Sequence, residues 1–171
     1  MRNVMLVLRV IHIFSGVFWV GFSFFNVGFM QPTIAAVGAE GQKVMGYLTQ
    51  KTRLLTTVYV TATLTMLAGL IMLWLISGLQ LSFLRSGYGL ILSLGGLAGI
   101  IAWVIGLFWI RGIINRMGSL GRAISAGGPP TPEQAGEMSS LVAQLGTAGR
   151  VGVIFMVLAL LGMSIASYLP F

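Results

Sequence analysis

The chain has 171 residues, 57 % of them hydrophobic and 8 % charged, with a mean hydropathy of +0.97, and such values belong to integral membrane proteins and exclude a soluble globular domain. Its net charge of +7 comes from ten Lys and Arg against three acids, but the basic residues are scattered over segments that flank apolar runs, which excludes a nucleic-acid-binding stripe. There is no cysteine, so disulfides, thiolate metal sites and covalent haem attachment are excluded as well.

A helix needs about 20 apolar residues to cross about 30 Å of hydrocarbon, and four runs qualify, about 4–30, 54–76, 88–110 and 151–169. None alternates like a barrel strand, and lipid tolerates only helices or closed barrels. The expected fold is therefore all-α: an integral membrane four-helix bundle forming one domain over 1–171, with the lipid bilayer as its first partner. A secretory signal is excluded for the first run, which is too long, contains Arg9 and His12, and lacks a small-x-small cleavage site before Gln31-Pro32.

Within that first helix, Arg9, His12, Gly16, Trp19 and Ser23 recur at spacings of three and four and form its polar stripe. An ionisable residue in a span normally faces the bundle interior or a cavity. His12 is the sole histidine of the chain. Eight residues below Val4, it lies roughly 12 Å into the membrane. The same depth in the other spans falls at Ala68-Gly69, Gly95-Gly96 and Leu161-Gly162. Two readings stay open. The glycines, with Gly16, form a slot for a planar ligand held by His12, with Trp19 at its edge and Arg9 pairing with a carboxylate. Alternatively they serve close helix packing, for which Gly95-x-x-x-Gly99 is suited, and His12 hydrogen-bonds across to the threonine-rich second span.

Further along, the first connection opens at Gln31-Pro32, read as a helix stop, and then becomes a helical lead-in with Val44, Tyr47 and Leu48 on one face. The second connection, SGLQLSFLRSG, is short. In the third, about 111–150, Ile113, Met117, Leu120 and Ile124 mirror Met138, Leu141, Val142 and Leu145 across the helix-breaking SAGGPP. Thr131, Pro132 and Gln134 then form a capping-box start. Helices three and four are thus expected to extend beyond the membrane as a hairpin, the rival being a segment 112–126 lying flat on the leaflet. Lys43, Lys51, Arg53, Arg111, Arg116, Arg122 and Arg150 flank the first and third connections, and Arg2, Arg9 and Arg85 the other side. The positive-inside rule places both termini outside the cytoplasm, with a bacterial inner membrane as the expected location. Met66, Met72, Met156 and Met163 offer thioethers to a metal or simply fill the core.

His12 followed by Trp19 and Gly21, a His-x6-Trp-x-Gly pattern in a first transmembrane helix, resembles the opening of the copper-resistance-D-like superfamily. That superfamily includes copper-resistance membrane proteins, membrane-bound protoporphyrinogen oxidases of the HemJ type and small four-span proteins. In the HemJ-type members the corresponding first-helix histidine is associated with haem b, so the resemblance implies haem b with His12 as its metal ligand. The chain departs from its relatives in having no second histidine and no histidine- and methionine-rich segments, which argues against copper uptake and porphyrinogen oxidation.

The expectations follow in order: a b-type haem membrane protein serving electron transfer or as an accessory subunit; a structural or assembly subunit without haem; and, last, a small transporter. No acid lies within a span, since Glu40, Glu133 and Glu137 are in connections, and ion coupling lacks its usual carboxylate. A single histidine leaves the second axial position to methionine, water or another chain, so a homodimer is expected slightly ahead of a complex with partner membrane subunits.

Overall fold

In the computed structural model, which describes residues 2–170, helix α1 (Arg2–Phe25) runs through a π-helical turn (Asn26–Met30) into α2 (Gln31–Val37), and α3 (Ala39–Lys51) leads to α4 (Leu54–Ser77). A 3-10 turn (Leu81–Arg85) precedes α5 (Gly87–Val104), which passes through a second π-helical stretch (Ile105–Ile110) into α6 (Arg111–Gly127); α7 is Pro132–Ala166. Met1 and Phe171 of the expected domain lie outside the described residues. Four helical stretches, Arg2–Val37, Leu54–Ser77, Gly87–Gly127 and Pro132–Ala166, are long and apolar enough to cross a membrane.

The first span does not stop at Gln31-Pro32. Proline has no N–H to donate and its ring collides with the carbonyl four residues back, here Gly28, and the chain absorbs this misfit by widening into a π turn. The Gln31 N–H donates to Asn26 O, five residues back. The helix then continues to Val37 and breaks at Gly38, whose φ of 70° and ψ of −130° suit glycine. The fourth span likewise ends at Ala166, short of the expected 169.

The extramembrane hairpin is present. At about 1.5 Å per residue, the 35 residues of α7 measure about 52 Å, far beyond about 30 Å of hydrocarbon. Ile113, Leu141 and Ala148 are buried between α6 and α7, with Met117, Leu120 and Leu145 packed around them. Helix α6 therefore lies on α7 and not flat on the leaflet. An Arg116–Glu137 ion pair of 2.7 Å ties the same helices. Thr131 caps α7 in a complete capping box with Gln134. In its first turn, the Glu133 carboxyl is held below the usual carboxylate range by its own backbone N–H and then by the Thr131 hydroxyl.

Pairing of the spans follows the small residues. Helices α1 and α4 pack along their length, as do α5 and α7. In the second pair the backbones nearly touch: a Cβ on Gly162 would stand 2.8 Å from Gly95 Cα, and one on Gly95 would stand 3.1 Å from Met163 N. The two pairs meet in one layer, where Trp19, Ala62, Ala102 and Met156, one from each span, are buried together.

Gly162→Val should therefore lower stability by roughly 1–3 kcal/mol or more, because the obstacle is backbone and cannot swing away. Gly21→Ala, whose added Cβ meets nothing within 4 Å, should be neutral or gain roughly 0.5–1 kcal/mol from helix propensity. Thermal unfolding in detergent micelles checks both, and a Gly162→Val protein melting with the parent would overturn this account of the α5–α7 pair.

Candidate functional site: the α1–α4 seam and the cleft between the helix pairs

The structure divides the polar stripe of the first helix. The half-buried His12 ring lies against α4, with Nδ1 2.8 Å from the carbonyl oxygen of Thr65. A carbonyl only accepts, so Nδ1 carries the proton, and the neutral form of the ring has its lone pair at Nε2. The ring sits in a notch left by Gly69, where a Cβ would stand 2.8 Å from Cε1. One turn on, the buried Ser15 hydroxyl donates to Ile11 O and lies 3.0 Å from Thr65 Oγ1, which is itself 2.8 Å from Thr61 O. A Cβ on Gly16 would meet Thr65 Cγ2 at 3.4 Å, ordinary contact.

The expected slot is thus filled by the seam itself. Gly69 receives the imidazole, Gly16 faces a threonine methyl, and Gly95 and Gly162 are consumed by each other. Trp19 is not at the edge of this site but buried in the four-helix layer, and Arg9 is exposed on the outer part of α1. Within one chain, His12, Arg9, Gly16 and Trp19 do not form a cradle for a haem macrocycle. No group of three or more His, Cys, Asp or Glu that could hold a metal ion occurs among the described residues. The hydrogen bond foreseen from His12 to the second span is made, but to a backbone carbonyl and not to a hydroxyl.

Space is found at the other end. Beyond the Trp19 layer a cleft of about 920 Å³ opens between α1, α4, α5 and α7, with α3 and α6 completing its wall toward the end carrying seven of the ten basic residues, while the first span stays on α7 at Val27 and Gln31. Its volume falls within the range of small-molecule sites, and like them it is mostly apolar with a few polar groups. Trp19, Phe22, Tyr59 and Trp103 supply aromatic faces. Trp103 Nε1 donates to Thr63 Oγ1 at 3.3 Å, linking α5 to α4 across the two pairs. The guanidinium of Arg111 lies 5.5 Å from the centre of the Tyr59 ring, joining α6 to α4 on the basic side.

Two amides on the bulged stretch of the first span, Asn26 and Gln31, also line the cleft. Asn26 Oδ1 and Gln31 Nε2 are shut off from solvent and have no hydrogen-bond partner. The Gln31 amide instead rests on α7, close to where Cβ atoms on Gly146 and Gly149 would stand, at 3.7 and 3.4 Å. A buried polar atom left unpaired costs about 1–3 kcal/mol, and no bond within the chain fixes either amide's orientation. Both π-helical stretches, Asn26–Met30 and Ile105–Ile110, border this chamber, and such bulges frequently accompany functional sites. The sequence carried one signal for this: Asn26 is an amide inside an otherwise apolar run. That it lines one cleft with Gln31 and Trp103 depends on how the helix pairs meet, which no local pattern encodes.

No protein-family model, curated protein or solved structure matches this chain.

The seam makes a quantitative test possible. Gly69→Ala should cost roughly 1–3 kcal/mol by pushing the imidazole off its carbonyl, yet cost much less in a His12→Ala background, where the obstacle is gone. Unfolding of the four proteins of this double-mutant cycle measures the coupling, and simple additivity would contradict the packing role of His12.

Proposed function

We propose that this chain is a membrane-embedded binding protein, an accessory element of a larger membrane assembly, that takes one amphiphilic molecule into the cleft between its helix pairs. The observation that carries this is the cleft of about 920 Å³, whose lining keeps two buried amide atoms without partners. In lipid, such groups are retained at a cost and face an interior or a ligand. The apolar body of the amphiphile lies among the spans, and its polar end lies toward the Asn26–Gln31 turn. By the positive-inside rule the basic end is cytoplasmic and both termini are extracytoplasmic, consistent with a bacterial inner membrane.

Added Cβ atoms on Gly46 and Gly106 meet nothing within 4 Å, and both residues line the cleft. Tryptophan at both positions should fill it. Extraction and mass spectrometry of purified protein should find about one retained amphiphile per chain, as a single site requires, and loss of it in the Gly46→Trp/Gly106→Trp protein with helical content unchanged. Equal retention in both proteins would sink the cleft as the binding site.

One observation favours a second reading, in which His12 serves haem b between two chains. The Nδ1–H bond to Thr65 O orients the ring and leaves Nε2 as the nitrogen able to ligate, as in metal-ligating histidines whose other ring nitrogen donates to a carbonyl. A twofold dimer would convert one histidine per chain into a facing pair, and bound haem would supply one-electron transfer. On this reading the purified protein shows a Soret band, native mass spectrometry gives one haem per two chains, and His12→Ala removes the band while Met72→Leu spares it. A colourless protein after haem supplementation contradicts it.

A further inference from the structure

The lining of the cleft narrows the kind of molecule it takes. Among its lining residues only Arg122 is charged, and no acid is present. Arg122 lies in α6, in the hairpin beyond the membrane, and is exposed. A charged headgroup would therefore be left without a counter-ion at the depth of Asn26, where desolvation is costly. A neutral head suffers no such penalty. Other polar side chains line the cleft, among them Gln42, Thr49, Gln50 and Asn115, but the buried polar atoms without a partner are those of Asn26 and Gln31, and the indoles of Trp19 and Trp103 and the rings of Phe22 and Tyr59 line the same cleft. Flat aromatic faces favour a flat ring.

The amides add a second criterion. Each carries both a donor and an acceptor, and neither Asn26 Oδ1 nor Gln31 Nε2 is engaged within the protein. Turning either side chain toward the cleft presents whichever end a ligand needs. Such a pair can donate to two carbonyls or accept from two hydroxyls. That versatility is superfluous for a sterol or a diacylglycerol, whose hydroxyls are not arranged on a flat ring, but it matches a molecule that exists with either carbonyls or hydroxyls on one ring.

We propose that the cleft binds a quinone-class lipid, its ring among the cleft aromatics with its oxygens at Asn26 and Gln31, and its isoprenoid tail running between the helix pairs. This rests on the amphiphile-binding reading above and specifies its ligand; it concerns binding and assigns no redox step to the chain.

The test uses the full-length protein in nanodiscs, in a Trp74→Phe/Trp109→Phe background. Trp74 and Trp109 are exposed on the outer surface, so their removal leaves the two cleft indoles as the reporters. Titration with a ubiquinone analogue bearing a two-isoprene tail should quench the remaining tryptophan fluorescence saturably. Adding Asn26→Leu and Gln31→Met should weaken that binding by about tenfold per lost hydrogen bond. The same substitutions should leave the ligand-free protein equally or more resistant to heat, because they remove unpaired buried polar atoms. That opposition between binding and stability separates a ligand contact from a structural one. Brominated phosphatidylglycerol and brominated diacylglycerol are titrated in parallel. Saturable quenching by either of these but not by the quinone overturns the quinone assignment while leaving the cleft reading intact. Linear quenching by all three overturns both. Quinone binding unaffected by the two amide substitutions overturns the placement of the ring.

Discussion

Close approach of helix backbones inside lipid is the constraint on which the rest of this molecule depends. Without a hydrophobic effect to drive association between spans, contact must come from dispersion and interhelical hydrogen bonds, and both require small residues at the seam. Here they are distributed unevenly. Gly95 faces Gly162 and its neighbours in the α5–α7 pair, while Gly16 and Gly69 allow α1 to lay Ser15 and His12 against Thr65. Each pair is therefore tight. The two pairs share one layer of side chains around Trp19, and beyond it they leave a cleft between them.

The irregular backbone is located where the cleft is. Pro32 prevents a regular helix from continuing past Gly28, and the π turn that results lies on the same wall as Asn26 and Gln31. Non-helical backbone and unpaired amides are tolerated at membrane depth where they border a cavity. The same chain thus contains two ways of treating a polar group in hydrocarbon. At the α1–α4 seam the polar groups are satisfied by one another, down to the Nδ1 proton of His12. Along the cleft Asn26 Oδ1 and Gln31 Nε2 are not, and the cost of leaving them so is what singles out this end of the molecule as a site for something else.

The large features of the fold were legible because they rest on length and period. Four apolar runs, the mirrored faces of Ile113–Leu120 and Leu141–Leu145, and the capping box at Thr131 are local patterns, and each appears as expected. Gln31-Pro32 misled because a proline after an amide has the same local signature whether it ends a helix or bulges it. Which of the two open readings of the glycines at His12's level applies was not legible in the sequence. The sequence places a glycine at its level in every span, but whether that level holds a gap or a contact depends on helix separations of about an ångström, and Gly69 and Gly16 are spent on contact. Asn26 and Gln31 were passed over because polarity within a span attracts notice mainly when it is ionisable. Neither amide is.

A density map of the protein held in native-lipid nanodiscs would test most directly whether the cleft between two tight helix pairs is a binding site. The account predicts that α1–α4 and α5–α7 keep their separations and that elongated non-protein density occupies the space beyond Trp19, with its compact end beside Asn26 and Gln31 and its tail among the spans. A closed bundle, with α5 drawn onto α1, no density between the pairs and the two amides bonded within the protein, would contradict it.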